Sequence, residues 1–271
     1  MHGLGYDHTT GRTYAATHND VWLLPTGELG TTFGNGEPDK QPLGQPQQVA
    51  NRAQDTMGFF VTDTGSLLAS GHPDPQEQPT LNPPNLGLIT STDGAETWTN
   101  VSLGAETDFH DLAATPLPNG ATRVYGYDAT RSTIRISDTS GRTWSDGATI
   151  EMRDLTVDRA DPDRALATTA TGLMVSSDAA RTFTSAEEAP ALYLVDAVGL
   201  VAGGGFVGVD TGGVIWHSGT DGVWVQAGTT QGVLEALAFV GGQKPWVLYS
   251  DDRGVVATDD FGSTWTPLVG M

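Results

Sequence analysis

Cysteine is absent from all 271 residues. That excludes disulfides and thiolate metal sites, and it leaves the redox compartment open. Lysine is almost absent too, with only Lys40 and Lys244, and basic residues total 13 against 33 acidic ones. A formal charge of −20 repels phosphate backbones, so nucleic acid is not an expected partner. Such a surface suits cations, neutral glycans, a salty exterior or simple solubility. No run approaches the ~18 apolar residues that a membrane span requires, so none is expected to cross a membrane. Helical periodicity does not persist anywhere along the chain.

What is abundant is glycine, at 35 residues, together with short apolar runs punctuated by turn residues. The length suffices for one large domain whose core needs no covalent staples. One octapeptide recurs. "STDGAETW" ends at Trp98, "SDTSGRTW" at Trp144, "SSDAARTF" at Phe183 and "TDDFGSTW" at Trp265, with an eroded copy, "HSGTDGVW", ending at Trp224. The steps between the closing aromatics are 46, 39, 41 and 41 residues. Each period holds about four short strands separated by turn signals, which is the unit of a β-propeller blade. One further blade fits before the first octapeptide. The long second period is explained by a Pro-rich insert, "GHPDPQEQPTLNPPNLG". The expected fold is therefore all-β: a single domain over 1–271, forming a six-bladed propeller of four-stranded antiparallel blades. The blades lie near 1–49, 50–104, 105–149, 150–188, 189–229 and 230–271.

The octapeptide resembles the Asp box, or BNR repeat, Ser-x-Asp-x-Gly-x-Thr-Trp. That motif is found in sialidases, sortilin-type receptors, some glucan hydrolases and a photosystem assembly factor. Ser91, Asp93, Thr97 and Trp98 match, as do Ser176, Asp178, Thr182 and Phe183, with Ala95 and Ala180 at the glycine position. Thr258, Asp260, Gly262, Thr264 and Trp265 match fully apart from the leading Thr, while in the copy ending at Trp144 the Asp has slipped to Asp138 and Thr139 stands in its place. An Asp side chain accepts hydrogen bonds from its own turn. The box is thus a lock on the turn between third and fourth strands, and catalysis has no use for a group repeated around the rim.

Chemistry belongs instead at the channel mouth, where innermost strands begin and second strands end. The innermost strands place His2, Met57, His110, Arg153 and Glu235 there, with blade 5, "LYLVDAV", ambiguous. The second strands end at His18, His72, Asp128, Ala170, Asp210 and Asp251. Four of the six histidines thus share one face, leaving His8 and His217 on the far side or the rim. Imidazoles with a thioether and carboxylates form a transition-metal donor set. His2, His18, Met57, His72 and His110 are the candidate ligands, with Asp108 and Asp128 beside them. Imidazole suits zinc and copper, and Met draws the choice toward copper. The plain alternative is a polar, wet channel mouth in which each histidine is hydrogen-bonded.

A broader resemblance covers nearly the whole chain. "HGLGY", "ATH", "DTMGF", "ASGHP" and "DFH", with the later boxes, look like a group of bacterial exported proteins labelled sialidase-like or BNR-repeat glycosyl hydrolases. That resemblance implies an extracytoplasmic protein, secreted or lipoprotein-anchored, whose targeting segment is not among these residues. Sialidases clamp a sugar carboxylate with three arginines, one in an "RIP"-type motif that is not found here, and use a Tyr–Glu nucleophile pair. Arg153 is the one arginine placed at the mouth, with Tyr127 nearby. Asp128, Asp210, Glu235 and Asp251 are the candidate glycosidase carboxylates. Three readings stand side by side: a monomeric binding protein for a small ligand or metal ion, copper or zinc, with no organic cofactor; a sialidase-like hydrolase acting on glycans; and a scaffold docking a protein through the insert near Asp74–Pro84.

Overall fold

A computed structural model describes residues 1–26, 45–241 and 244–270. The chain folds as a six-bladed β-propeller of four-stranded antiparallel sheets, each built from four consecutive strands. Blade 1 comprises β1 (Gly3–Asp7), β2 (Arg12–Ala16), β3 (Val21–Leu24) and β4 (Gln47–Gln48). Blade 2 comprises β5 (Asp55–Val61), β6 (Leu67–His72), β7 (Leu88–Ser91) and β8 (Thr99–Ser102). Blade 3 comprises β9 (Phe109–Pro116), β10 (Thr122–Asp128), β11 (Thr133–Ser137) and β12 (Ser145–Thr149). Blade 4 comprises β13 (Asp154–Val157), β14 (Ala165–Thr169), β15 (Gly172–Ser176) and β16 (Thr184–Ser185). Blade 5 comprises β17 (Leu192–Ala197), β18 (Phe206–Asp210), β19 (Val214–Ser218) and β20 (Trp224–Thr229). Blade 6 comprises β21 (Ala236–Gly241), β22 (Trp246–Asp251), β23 (Gly254–Thr258) and β24 (Thr266–Gly270).

Burial follows position within the blade. The second strands are covered on both faces by neighbouring blades, so their sequences, such as "LLAS" and "VLYSD", run apolar or small without alternating. The outermost strands β8, β12, β20 and β24 are mostly open to solvent. The core is accordingly divided among the seams between blades. Tyr14, Leu67 and Ile89 pack between blades 1 and 2, and Leu88, Phe109 and Val124 between blades 2 and 3. Leu4, Tyr6 and Ala15 meet Leu248, Val255 and Ala257 between blades 1 and 6, so the ring closes by side-chain packing of β1 on β21.

The octapeptides sit on the turns between third and fourth strands, and their bonding explains the repeat. Asp93 Oδ1 accepts from the Thr97 amide at 3.0 Å and from the Ser91 hydroxyl at 2.8 Å, while its Oδ2 accepts from the Thr97 hydroxyl at 2.6 Å. Asp178 and Asp260 repeat this arrangement on Thr182 and Thr264. The bond from the Thr97 side chain, first among its donors, holds the Asp93 carboxyl down to about 2. In blade 3 the Thr139 hydroxyl takes the role, accepting from the Thr143 amide at 2.9 Å. The displaced Asp138 instead binds Arg123 at 2.5 Å.

Inner strands are also tied across the seams by carboxylates. Asp111 on β9 accepts from the Leu155 amide on β13 at 2.6 Å, Asp154 on β13 from the Val195 amide on β17 at 2.6 Å, and Asp196 on β17 from the Phe239 amide on β21 at 2.7 Å. These latches join blades 3 to 4, 4 to 5 and 5 to 6. All three carboxyls line a central cavity of about 260 Å³. Burial raises the pKa of each, Asp154 to about 7, and the neighbouring carboxylates add to the rise at Asp111 and Asp154.

Candidate functional site

Three of the mouth residues project because their inner strands bulge where they begin. In β5 the pairing with β6 slips between Thr56 and Gly58, so Met57 has no partner in the ladder. In β9 the pairing slips between Asp111 and Phe109, leaving out His110. In β17 it slips between Leu192 and Leu194, leaving out Tyr193. A bulge re-aims one side chain while the ladder continues on either side. Gly71 permits the first of these. It adopts φ +134°, and a Cβ there would lie 2.0 Å from the Asp55 carbonyl oxygen. His2 stands at the same level just ahead of β1, its amide bonded to the Ala16 carbonyl at 2.9 Å. Blade 5, ambiguous in sequence, thus contributes Tyr193, whose ring receives the Arg153 guanidinium 4.9 Å from its centroid.

Two histidine–carboxylate groups form on this face. In the first, His18 Nδ1 donates to Asp55 Oδ1 at 2.9 Å, and His2 Nε2 stands 3.2 Å from the His18 ring nitrogens and 3.9 Å from Asp55 Oδ1. The two rings meet edge-on at 82°. One donor atom from each of the three residues lies within 4.8 Å of the others. Burial first, then the neighbouring His18, holds His2 down to about 4, so it is a neutral imidazole near pH 7.

In the second group, His110 Nε2 donates to Asp108 Oδ2 at 2.8 Å, and His72 Nε2 stands 3.5 Å from that same oxygen. The His72 Nδ1–H donates to the Pro84 carbonyl at 2.8 Å. The Asp108 side chain is only 9% exposed, and its Oδ1 has no hydrogen-bond partner among the described residues. The hydrogen bond to Asp108 raises the His110 pKa. Asp55 and His72 are cross-strand partners on β5 and β6, so the two groups adjoin on blade 2.

The structure thus divides the five predicted ligands rather than gathering them around one point. His2, Met57, His110, Tyr127, Arg153 and Glu235 all border the central cavity. Asp55 was missed in the sequence, although a signal existed: Asp55-Thr-Met57 and Asp108-Phe-His110 place an Asp two residues before two of the three bulged residues. His8 packs edge-on against Tyr6, and His217 stacks on Phe261.

Several candidate carboxylates have structural employment. Asp210 accepts from the Gly212 and Val214 amides and from the Trp216 indole, all within its own hairpin. Asp251 is buried against Arg253 and accepts from the Gln231 amide at 3.0 Å. Asp128 is buried and caps its turn through the Arg131 amide at 3.2 Å. Glu235 is exposed at 53%. Arg52 is drawn to Glu77 at 3.0 Å and to the octapeptide turn, and Arg253 lies 4.0 Å from the centroid of Trp265 while gripping Asp251. Neither joins Arg153 in a clamp. The insert is not a free appendage: Asp74 accepts from the Ala53 amide at 2.8 Å, and Pro84 holds His72. Deleting it is expected to perturb the histidine face through the Pro84 carbonyl.

No protein-family model matches the sequence, and no curated protein sequence matches it. Solved structures do resemble it. A gluconolactonase-like protein superposes with a TM-score of 0.66 at 12% identity, over 99% of this chain and 89% of that one. A GH74 enzyme from Niastella koreensis gives 0.57 at 15% identity, over 97% of this chain but only 37% of the enzyme. YCF48 bound to a D1 peptide gives 0.54 at 13% identity, over 97% of this chain and 80% of that one. These likenesses establish the propeller, and their variety of hydrolases and binding proteins leaves the site to speak for function. Among the described residues no helix is long and apolar enough to cross a membrane.

Proposed function

We propose that the chain is a metal-binding β-propeller that holds a first-row transition ion, copper or zinc, at His2, His18 and Asp55. The observation carrying this reading is the convergence of those three donors within 4.8 Å from two different blades. A tetrahedral ion with bonds of roughly 2 Å needs donors about 3.3 Å apart. The separations of 3.2, 2.9 and 3.9 Å bracket that value. His2 needs no proton removed near neutral pH before it coordinates. Two imidazoles and one carboxylate leave a fourth position for a further ligand, and Met57, like His2, borders the cavity. A thioether there would favour copper. The acidic surface and the resemblance to exported proteins support a place outside the cytoplasm, with the mouth as the ligand-binding face of a monomer.

Elemental analysis of the protein before and after exposure to copper and zinc tests the reading. Near-stoichiometric metal that falls when His2 and His18 are both replaced by Ala is the expected result. Metal-free protein under every condition would overturn it. A glycan-acting hydrolase of sialidase ancestry is the rival reading. It has to draw on Glu235 and Tyr127, since Asp128 and Asp210 are bound within their own turns and Asp251 is held by Arg253 and the Gln231 amide. Glycan hydrolysis that survives the histidine substitutions and is lost in Glu235→Gln would favour it.

A further inference from the structure

The octapeptide turn of blade 5 has lost its lock. Ser218 ends β19, as Ser91, Ser137, Ser176 and Thr258 end the third strands of blades 2, 3, 4 and 6. In those four turns the hydroxyl accepts from the amide four residues on. It also bonds the side chain two residues on. The blade 5 turn is one residue shorter, six positions from Ser218 to Trp224 against seven from Ser91 to Trp98. Its Gly222 amide donates to the Gly219 carbonyl at 3.1 Å instead, and Thr220 stands where the Asp would be. Ser218 is left 3% exposed, with no hydrogen-bond partner for its Oγ among the described residues. A buried hydroxyl in that state lacks a partner that something else must supply.

A groove opens beside it, between blades 4 and 5, and Ser218 is part of its lining. The groove exists because β16 has two residues, against four to six in β8, β12, β20 and β24. Its volume is about 410 Å³, larger than that of the central cavity. Leu173, Val175, Phe206 and half-buried Trp224 form apolar walls, and exposed Glu187 and Glu188 stand at the rim. Arg164, the cation in the lining, is already engaged: it donates to Asp158 at 2.7 Å and lies 4.9 Å from the Phe206 centroid. Apolar surface continues outside the groove. Among the described residues, four of the five exposed large hydrophobics belong to blade 5: Leu200, Val201, Val223 and Val225. The turn and the loop carrying Leu200 adjoin, since a Cβ on Gly204 would meet both Thr220 and Leu200. Exposed aliphatic side chains clustered beside a groove mark a docking surface.

We propose that this groove docks an extended segment of a basic partner protein. An aliphatic or aromatic side chain of the partner enters between the apolar walls. A neighbouring Lys or Arg pairs with Glu187 and Glu188, and a polar backbone atom satisfies Ser218. Charge sets the partner's chemistry: the chain carries −20, and the groove's own cation is paired, so the rim selects for positive charge. Aliphatic residues around the groove favour polypeptide over sugar, which stacks on aromatic faces.

A phage-displayed library of random heptapeptides, selected on the immobilised protein, tests this. Selected sequences should place Lys or Arg beside a large apolar residue. A synthetic peptide of the selected sequence is then titrated by fluorescence anisotropy. Glu187→Lys with Glu188→Lys, both at exposed positions, should weaken it about tenfold or more. Glu96→Lys with Glu106→Lys changes the net charge equally, at exposed positions of blade 2, and should leave affinity within about twofold. The Trp224 indole N–H resonance, assigned by its loss in Trp224→Phe, should shift as peptide is added. Selection of no basic–apolar sequence would overturn the proposal. Equal weakening by both charge reversals would mean diffuse attraction and would overturn it, as would an unmoved Trp224 resonance. A concentration-dependent dimer in sedimentation that is lost in the Glu187→Lys, Glu188→Lys variant would assign the groove to a second copy of this chain and would likewise overturn it.

Discussion

Asp154 turns the channel carboxylates into a stability measurement. Its native pKa stands at about 7, burial being the largest cause, against 3.8 for the free side chain. Between those values the native protein keeps a proton that the unfolded chain releases. Stability therefore falls as the pH rises through that window, and the full penalty applies above about pH 7. Three units at about 1.4 kcal/mol each set a ceiling of about 4 kcal/mol. The charge that Asp154 shares with neighbouring Asp111 reduces this, and about 2 kcal/mol is the working figure. Asp154→Asn keeps a carbonyl oxygen for the Val195 amide but does not ionise. It should leave stability at pH 4 nearly unchanged and raise it by about 2 kcal/mol at pH 8, or roughly 4–8 °C in melting temperature for a domain of this size. Calorimetric melts from pH 4 to 8 read the difference. Melting curves for variant and parent that run parallel across that range would refute the argument.

Other consequences are equally direct. Gly141→Ala should destabilise by about 1–3 kcal/mol, because φ there is +81° and a Cβ would lie 2.1 Å from Leu88 Cδ2; urea denaturation measures it, and a loss below half that range would mean the turn can shift. Arg253→Ala leaves buried Asp251 without its cation and strips a guanidinium from Trp265, so a loss of about 2–4 kcal/mol is expected, with glycan and metal binding unaffected in the variant that remains folded. Replacing residues 75–84 by a short Gly-Ser linker removes the Pro84 carbonyl that holds His72, so the His72 ring resonances should shift and broaden in NMR spectra while those of His18, bonded to Asp55, stay in place; unchanged His72 resonances would mean that another group orients the ring.

The period and blade number were legible because the octapeptide lock is local: Asp93, Thr97 and Ser91 bond within eight residues, so the motif survives as a contiguous string. Thr139 in blade 3 shows that a hydroxyl can serve, which is why that copy is recognisable without its Asp. Blade 5 was obscure at the mouth because the bulge at Tyr193 breaks the two-residue alternation by which a strand is read. Asp111, Asp154 and Asp196 were passed over because each bonds an amide some forty residues away, on the next blade, and nothing near it in sequence announces the partner. The division of the four histidines into two groups depends on Asp55 and on the Pro84 carbonyl. Asp55 is one carboxylate among many in an acidic chain, and a backbone carbonyl such as that of Pro84 leaves no mark in sequence.

The bulges at Met57, His110 and Tyr193 also bear on how such a mouth changes over evolutionary time. A residue outside the ladder contributes nothing to strand register, so its replacement leaves blade assembly untouched. Ligand identity is thereby uncoupled from folding. The propeller becomes a turret with interchangeable fittings, in which a His, Met or Tyr can be exchanged one blade at a time. Recognition can drift while the architecture stays still.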